Sequence, residues 1–496
     1  MKINHLLLLA SVTILAGGCA VGPNYRQPGV ATPAHWGEPL KGGETNSPSS
    51  VADWWKNFHD PELDLLIARA VKSNLDLKIA EARVREARAE YGVAVGNLLP
   101  TVDASGSYAR LRQSKNQPVL GSLPIPPGVP FENNVYQAGF DASWEIDVFG
   151  GKRRTVEAAK AQVAATQFGE RDVLVTLLGE VARNYVDARG YQWQLKIARE
   201  NIRAQEQVLA ITEIRFTNGL ANNLDVQQAA TLLATTRAAV PTLETALQAS
   251  IHRLGVLLGQ PPEGLQTELS TVAPIPAAPP EVPVGLPSEL LLRRPDVAQA
   301  ERQLAAATAN IGVAKADLFP KFYLTGVAGF QGVSADEWFT AGSQFWSLGP
   351  AVQWRIFDAG RIRANIKIQT ARQEQALAAY EQIALSAFED VENALVAYAN
   401  EQVRRRSLED AVKSSQESLR LANQLYANGL ANFINVLDAE RSLYQAQDAL
   451  VQSDRKVSTD LIALYKSLGG GWETQSPSAS ASAAAANQTN SNRERL

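Results

Sequence analysis

Two kinds of alternation run along the chain. Over 135–147, Tyr136, Ala138, Phe140, Ala142, Trp144 and Ile146 alternate with Gln137, Gly139, Asp141, Ser143, Glu145 and Asp147. Over 346–356, Trp346, Leu348, Val352, Trp354 and Ile356 alternate with Ser347, Gly349, Gln353 and Arg355. A period of two predicts strands with one apolar and one polar face. Weaker alternation, diluted by small residues, predicts two further strands over 101–112 and 322–330. The second pattern is helical. Residues 361–428 run for 68 positions with neither Pro nor Gly, and 152–218 for 67 with no Pro and three Gly. At ~1.5 Å per residue each could reach about 100 Å. Their apolar residues are mostly small, such as Ala378, Ala384, Ala387 and Ala394, and charges are scattered among them. A layer of helices with one wet side fits that mixture better than a solid bundle; a coiled-coil rod is the competing reading.

The chain is internally duplicated. Asn218-Gly219-Leu220-Ala221-Asn222 recurs as Asn428-Gly429-Leu430-Ala431-Asn432, an offset of 210. At the same offset Leu254, Leu258 and Gly259 match Leu464, Leu468 and Gly469. Near it, Phe149-Gly150-Gly151-Lys152 answers the run from Phe357 to Arg361, and Leu99-Pro100 answers Phe319-Pro320. A period this long is one large unit used twice, not a solenoid. Each long helix ends at an Asn-Gly turn, where Gly suits the left-handed position after a helix. Asn222 and Asn432 can cap the returning helices over 223–258 and 433–468. Shorter helices over 75–98 and 295–318 precede the strand pairs. The division is then 1–18 leader, 19–60 amino-terminal segment, 61–259 first repeat with hairpin 152–258, 260–294 connector, 295–470 second repeat with hairpin 360–468, and 471–496 tail. The connector is rich in proline (Pro261, Pro262, Pro274, Pro276, Pro279, Pro280, Pro283, Pro287). With residues 20–60 it is expected to belt the helices midway. The tail is rich in Ser, Ala, Asn and Gln and reads as disordered.

Composition narrows the chemistry. The 496 residues, at roughly 150 per domain, allow about three domains. Net charge is −4, from 47 basic and 51 acidic residues, which leaves no electrostatic footprint for nucleic acid. Four histidines and one cysteine exclude a His-rich metal centre and a disulfide framework. No metal and no cofactor are expected. Paired carboxylates (Glu145 with Asp147, Glu389 with Asp390) have no nucleophile or metal ligand placed beside them, so no enzyme is expected.

The single cysteine, Cys19, carries an address. Lys2 and the short apolar run from Leu6 to Ala16 read as a secretory signal. Ala16, Gly17 and Gly18 before Cys19 resemble the bacterial lipobox, in which that cysteine is lipidated and becomes the mature amino terminus. The strands fit either a water-soluble sandwich or a transmembrane barrel with apolar residues outside. Four strands cannot close a barrel, and open edges are not tolerated in hydrocarbon. In a membrane, several chains must therefore share one barrel.

The lipobox, Ala20-Val21-Gly22-Pro23-Asn24-Tyr25 after it, the duplicated strand-pair and hairpin units, the paired Asn-Gly tips and the stretch from Phe433 to Leu443 together resemble the TolC-like outer-membrane efflux proteins. The closer resemblance is to the NodT-type lipoproteins of resistance–nodulation–division (RND) pumps, over about residues 19–472. It implies a mainly α chain with transmembrane β: four strands per protomer in a 12-strand trimeric barrel, continued by a periplasmic helical barrel. The implied partners are a periplasmic adaptor (membrane fusion protein), an inner-membrane RND transporter and outer-membrane lipid. The implied function is a passive exit duct for small molecules. By the same resemblance Asp438 matches an acidic ring that narrows the aperture, Arg441 a residue holding it closed, and Ile434 an apolar constriction. Asn218 to Asn222 and Asn428 to Asn432 match adaptor-contacting tips.

Positions 434, 438 and 441 share one helical face. The first repeat has Leu224, Gln228 and Thr231 there, so both charges are lost from it. From the residues alone Asp438 and Arg441 also fit an ordinary exposed ion pair, and the tips a plain capped turn. The alternative function is a periplasmic coiled-coil adaptor or a structural envelope lipoprotein. An adaptor would carry one hairpin flanked by lipoyl-like strands, not two hairpins with strand pairs.

Overall fold

The structure, a computed structural model, describes residues 20–37, 44–45, 51–112, 114, 131–279, 282–285 and 287–473. The leader, Cys19, most of the loop after the first strand and the tail after residue 473 lie outside the described residues. In chain order the main elements are α1 (Pro61–Ser73), α2 (Leu75–Gly96), β1 (Thr101–Arg112), β2 (Glu132–Ile146), α3 (Gly151–Thr217), α4 (Asn223–Leu257), α5 (Pro287–Arg293), α6 (Pro295–Ala316), β3 (Lys321–Gly332), β4 (Gln344–Gln353), α7 (Arg361–Ala427) and α8 (Phe433–Ser467). The duplicated unit of strand pair and helical hairpin is therefore present twice. Both long helices, α3 and α7, run for 67 residues. Chain packing divides these elements into two compact units.

Among the described residues, the first unit comprises those within 20–28, 85–165 and 301–379. Its centre is one antiparallel sheet in the order β1-β2-β3-β4. The pairing of β2 with β3 joins the two repeats and sets their register, with Tyr136 opposite Gly332 and Ile146 opposite Phe322. That register keeps one face apolar across all four strands. Val102, Ala142, Gly326 and Leu348 form one cross-strand row, and Ala104, Phe140, Ala328 and Trp346 the next. The other face carries Asp103, Asp141, Val327 and Ser347 in one row. The apolar face is exposed in the single chain: Phe140 is 61% exposed, Trp346 79% and Leu348 69%. Among the described residues, β1 and β4 each leave one edge unpaired.

Strand ends differ from the alternation pattern for local reasons. β4 stops at Gln353, opposite Lys321, instead of reaching Ile356. Its partner β3 begins only after Pro320, which has no N–H to give a ladder. Trp354, past the strand end, instead donates its indole N–H to the Leu318 carbonyl (3.1 Å). The related Trp144 does the same to Leu98 (2.8 Å). Asp147 leaves β2 to accept the backbone N–H groups of Lys152 and Arg153, opening α3. Asp358 accepts those of Gly360 and Ile362 and opens α7. β2 and β3 also start earlier than the pattern, at Glu132 and Lys321, and β3 runs on to Gly332.

Among the described residues, the second unit comprises those within 29–84, 166–300 and 380–473. Trp54, almost fully buried, stacks on Tyr465 of α8 (5.3 Å between centroids). Asp60 caps α1 through the N–H groups of Glu62 and Leu63 and accepts the Tyr185 hydroxyl of α3 (2.9 Å). The connector is sewn to the helices by its carbonyls. Thr271 accepts Arg189 (2.7 Å), Ala273 accepts the Trp193 indole (2.8 Å), and Pro276 accepts Ser458 (2.6 Å). It also holds two short 3₁₀ turns, Pro262–Leu265 and Glu268–Ser270, and pairs Val282–Pro283 with Glu44–Thr45.

Candidate channel gate at the hairpin tips

Both tips close by the same backbone device. Gly219 and Gly429 each hold φ of +71°, where a side chain would be strained. Leu220 N–H reaches back to the Arg215 carbonyl and Gly219 N–H to Phe216; Leu430 and Gly429 repeat this with Leu425 and Tyr426. This pair of bonds satisfies the last carbonyls of a helix and turns the chain out of it. Leu220 and Leu430 stand exposed at 68% and 75%. The caps that follow are unequal. Asn222 accepts the Asp225 N–H (2.8 Å) and Asp225 accepts the Asn222 N–H in return (3.3 Å). Asn432 makes no side-chain cap bond, against expectation. Its third helical position is Asn435, which lacks the carboxylate that completes the reciprocal pair.

Beyond the tips, α4 and α8 flank a groove of about 660 Å³. Ile434, Asp438 and Arg441 line it from α8, and Leu224, Gln228 and Thr231 from α4. The two sets of repeat-related positions therefore face one space. Arg441 Nη2 donates to Asp438 Oδ1 at 2.9 Å, and both side chains are more than half exposed. Such a pair within one helix is worth well under about 1 kcal/mol to the fold. Ile434, 40% exposed, and Leu224, 62% exposed, make the apolar end of the groove. No conformational need of the single chain accounts for an exposed Ile, Leu and ion pair facing one hollow.

A neighbouring stripe of α8, turned inward, holds a group that the sequence reading passed over. Glu440 is buried, with Oε2 lacking a hydrogen-bond partner among the described residues. Burial alone pushes its carboxyl up to about 7. Gln205 of α3 is also buried, and neither of its amide atoms has a partner among the described residues. In sequence each lies between contacts that join α3 to α8. On one side Asn201 donates to Gln447 (3.2 Å). On the other, Val208 and Leu209 pack on the cluster of Ala229, Phe433, Val436 and Leu437. Positions 433, 437, 440 and 444 make a helical stripe, and that spacing was the available signal that Glu440 faces inward.

Of the remaining carboxylates, Glu389 is exposed on α7 and the other three have structural partners. Glu145 meets Lys152 (3.4 Å), Asp147 caps α3, and Asp390 meets Arg294 (2.9 Å). Among the described residues no group of three His, Cys, Asp or Glu is arranged to hold a metal ion, and no helix is long and apolar enough to cross a membrane.

Known proteins resemble this chain over nearly its whole length. The family model described as outer membrane efflux protein matches residues 66–260 and 286–470. The pyoverdine export outer membrane protein OpmQ of Pseudomonas aeruginosa is 35% identical over 468 residues, covering 94% of this chain and 97% of that protein. A probable outer membrane lipoprotein of Salmonella typhimurium, SilC, is 33% identical and covers 94% of this chain and 98% of its own. Among solved structures, the outer-membrane channel OprN superposes with a TM-score of 0.84 at 36% identity, covering 92% of this chain and all of that one (100%).

Proposed function

The chain belongs to the outer membrane efflux protein family, TolC-like and of the NodT type, and from that premise we propose how it forms and closes its duct. It is an outer-membrane efflux channel that extends into the periplasm, not an adaptor. Three protomers close one 12-strand barrel, with β4 of one chain pairing β1 of the next. The observation that carries this reading is the sheet itself. Its register gathers the apolar residues on one exposed face, while β1 and β4 keep open edges. In hydrocarbon such edges must pair, and strands of neighbouring chains can pair them. The apolar face then meets lipid and the polar face lines the lumen.

The duct closes at the α4–α8 groove, where three copies of Asp438 form a ring that favours cations, as charged rings do in pores. Arg441 holds that ring in its resting position, and Ile434 narrows the passage beside it. The tips from Asn218 to Asn222 and from Asn428 to Asn432 receive a periplasmic adaptor, which couples the duct to an inner-membrane RND transporter. Acyl chains on Cys19 add a lipid anchor. The chain catalyses no reaction and needs neither cofactor nor nucleic acid; substrate choice belongs to the transporter.

Cysteine pairs test the assembly. In a Cys19→Ser background, single cysteines on β1 (Ser105→Cys) and β4 (Ser347→Cys) are combined and oxidised in the membrane. Covalent oligomers ending at three chains are expected. Ladders that continue past three, or monomers alone, would overturn the shared barrel.

A further inference from the structure

The first described residues do not trail away from the fold. Val21 donates its N–H to the Phe149 carbonyl (3.1 Å). Arg154, buried in the first turn of α3, donates through Nε to the Val21 carbonyl (3.2 Å). Its Nη2 reaches the Gly22 carbonyl (3.4 Å) and Asn24 Oδ1 (2.7 Å). Gly22 holds φ of +98°, and a Cβ there would stand 2.5 Å from the Gly312 Cα of α6. The Tyr25 hydroxyl donates to Glu301, itself buried, and Arg302 lies over the Tyr25 ring. Ala20 closes on Gly150, where a Cβ would come within 2.6 Å of the Ala20 Cα. Residues 20–25 are thus a strap fastened to α3 of the first repeat and to α6 of the second.

Ordering such a segment costs conformational entropy residue by residue. A loose leash for a lipid would need none of these attachments. The place where the strap arrives explains them. Phe149 lies just past the end of β2 and stacks on Phe319 (4.5 Å between centroids). Phe319 and its neighbour Leu318 are exposed, and the Leu318 carbonyl holds the Trp354 indole. Aromatic side chains at the end of a sheet with an apolar face mark a membrane–water boundary. Cys19 is one peptide from Ala20, so its Cα lies ~3.8 Å from that of Ala20. A lipid carried on Cys19 would therefore be tethered beside this aromatic level.

We propose that the strap is a dock for the chain's own lipid. It holds the diacylglyceryl group of Cys19 against the Phe149–Phe319 pair of the same protomer, as a fixed part of the channel's outer wall. The proposal rests on the lipidation of Cys19. Arg154 is a positioning residue in it, acting through the strap carbonyls, and Gly312 is the bare backbone surface on which Gly22 lies.

The test uses full-length protein in nanodiscs of outer-membrane phospholipid, with Phe319 replaced by p-benzoylphenylalanine. Intact mass of the amino-terminal peptide first reports whether Cys19 carries lipid; an unmodified terminus overturns the lipidation reading and the dock together. With lipid present, illumination is expected to join residue 319 to the acyl chain of its own amino-terminal peptide. The same label at Trp346, far along the sheet, is expected to capture bulk phospholipid alone. Arg154→Ala, and separately Gly312→Val, should abolish the 319 adduct while the lipidated mass and the oligomer persist. Two results overturn the dock without touching the lipidation reading. One is an adduct to bulk phospholipid or to a second copy of the chain. The other is an adduct to the chain's own lipid that survives in whichever variant assembles.

Discussion

Replacing Glu440 by Gln should separate the packing of α8 from pH. The native carboxyl is buried, has one oxygen without a partner among the described residues, and is pushed up to about 7 from an ordinary 4.5 by burial alone. Above about pH 7 the charged form is held against that burial. At ~1.4 kcal/mol per tenfold change in proton affinity, and discounted for residual access of water, the charge costs on the order of 2 kcal/mol. The sign follows from linkage. Below 4.5 the group is neutral whether α8 is seated or not. Between 4.5 and about 7 the seated helix retains a proton that the released helix gives up, so stability falls as pH rises. Above about 7 the whole penalty is present.

α8 also carries Asp438 and Arg441, so loosening its seat should loosen the proposed gate. Single-channel recording in planar bilayers is the assay. Wild-type openings should become more frequent from about pH 5 to about pH 8, by up to roughly thirtyfold if the full penalty reaches the gate. The Glu440→Gln chain should stay at its low-pH frequency throughout, because the amide keeps the shape and cannot ionise. A wild-type frequency that is flat over this range would refute the reasoning. So would a Glu440→Gln chain that keeps the wild-type slope.

Three further outcomes are expected. Asp438→Ala with Arg441→Ala should raise open frequency and weaken cation preference, while the melting temperature stays nearly unchanged, since an exposed pair is worth well under about 1 kcal/mol; unchanged conductance and selectivity would make both residues bystanders. Asn222→Ala should destabilise the first tip by ~1 kcal/mol and Asn432→Ala by less, because only Asn222 has a reciprocal cap; hydrogen exchange at the two turns reads the difference. Gly329→Ala should weaken the β2–β3 pairing by about 1–3 kcal/mol. Its Cβ would lie 2.4 Å from the Ala138 carbonyl oxygen, whereas Gly106→Ala meets nothing closer than 4.0 Å; heat stability of the assembled oligomer compares them.

Duplication made the fold legible, because a pattern that recurs at a fixed offset need not be strong in either copy. The weak alternation of 101–112 and 322–330 gained meaning from its position beside 135–147 and 346–356. The Asn-Gly tips, read twice, marked where each long helix turns. Spacing on one helix was likewise enough to put Ile434, Asp438 and Arg441 on a common face. What stayed hidden depends on contacts between segments far apart in sequence. No local pattern states that Tyr136 pairs opposite Gly332, yet that register aligns the apolar face across both repeats. Nor does one state that Arg154 reads carbonyls at Val21 and Gly22. Duplication could also mislead: the second tip shares the first tip's asparagine but not its Asp225, so equal letters at 222 and 432 make unequal caps. Glu440 is the sharpest case. A charge among many charges on a long helix reads as solvated, and only its place in the 433, 437, 440, 444 stripe speaks otherwise. A polar residue on an apolar stripe breaks the local pattern for a reason that packing alone does not supply. Here it sits on the helix that carries the proposed gate, where a single ionisation would weaken the seat of that helix without unfolding it.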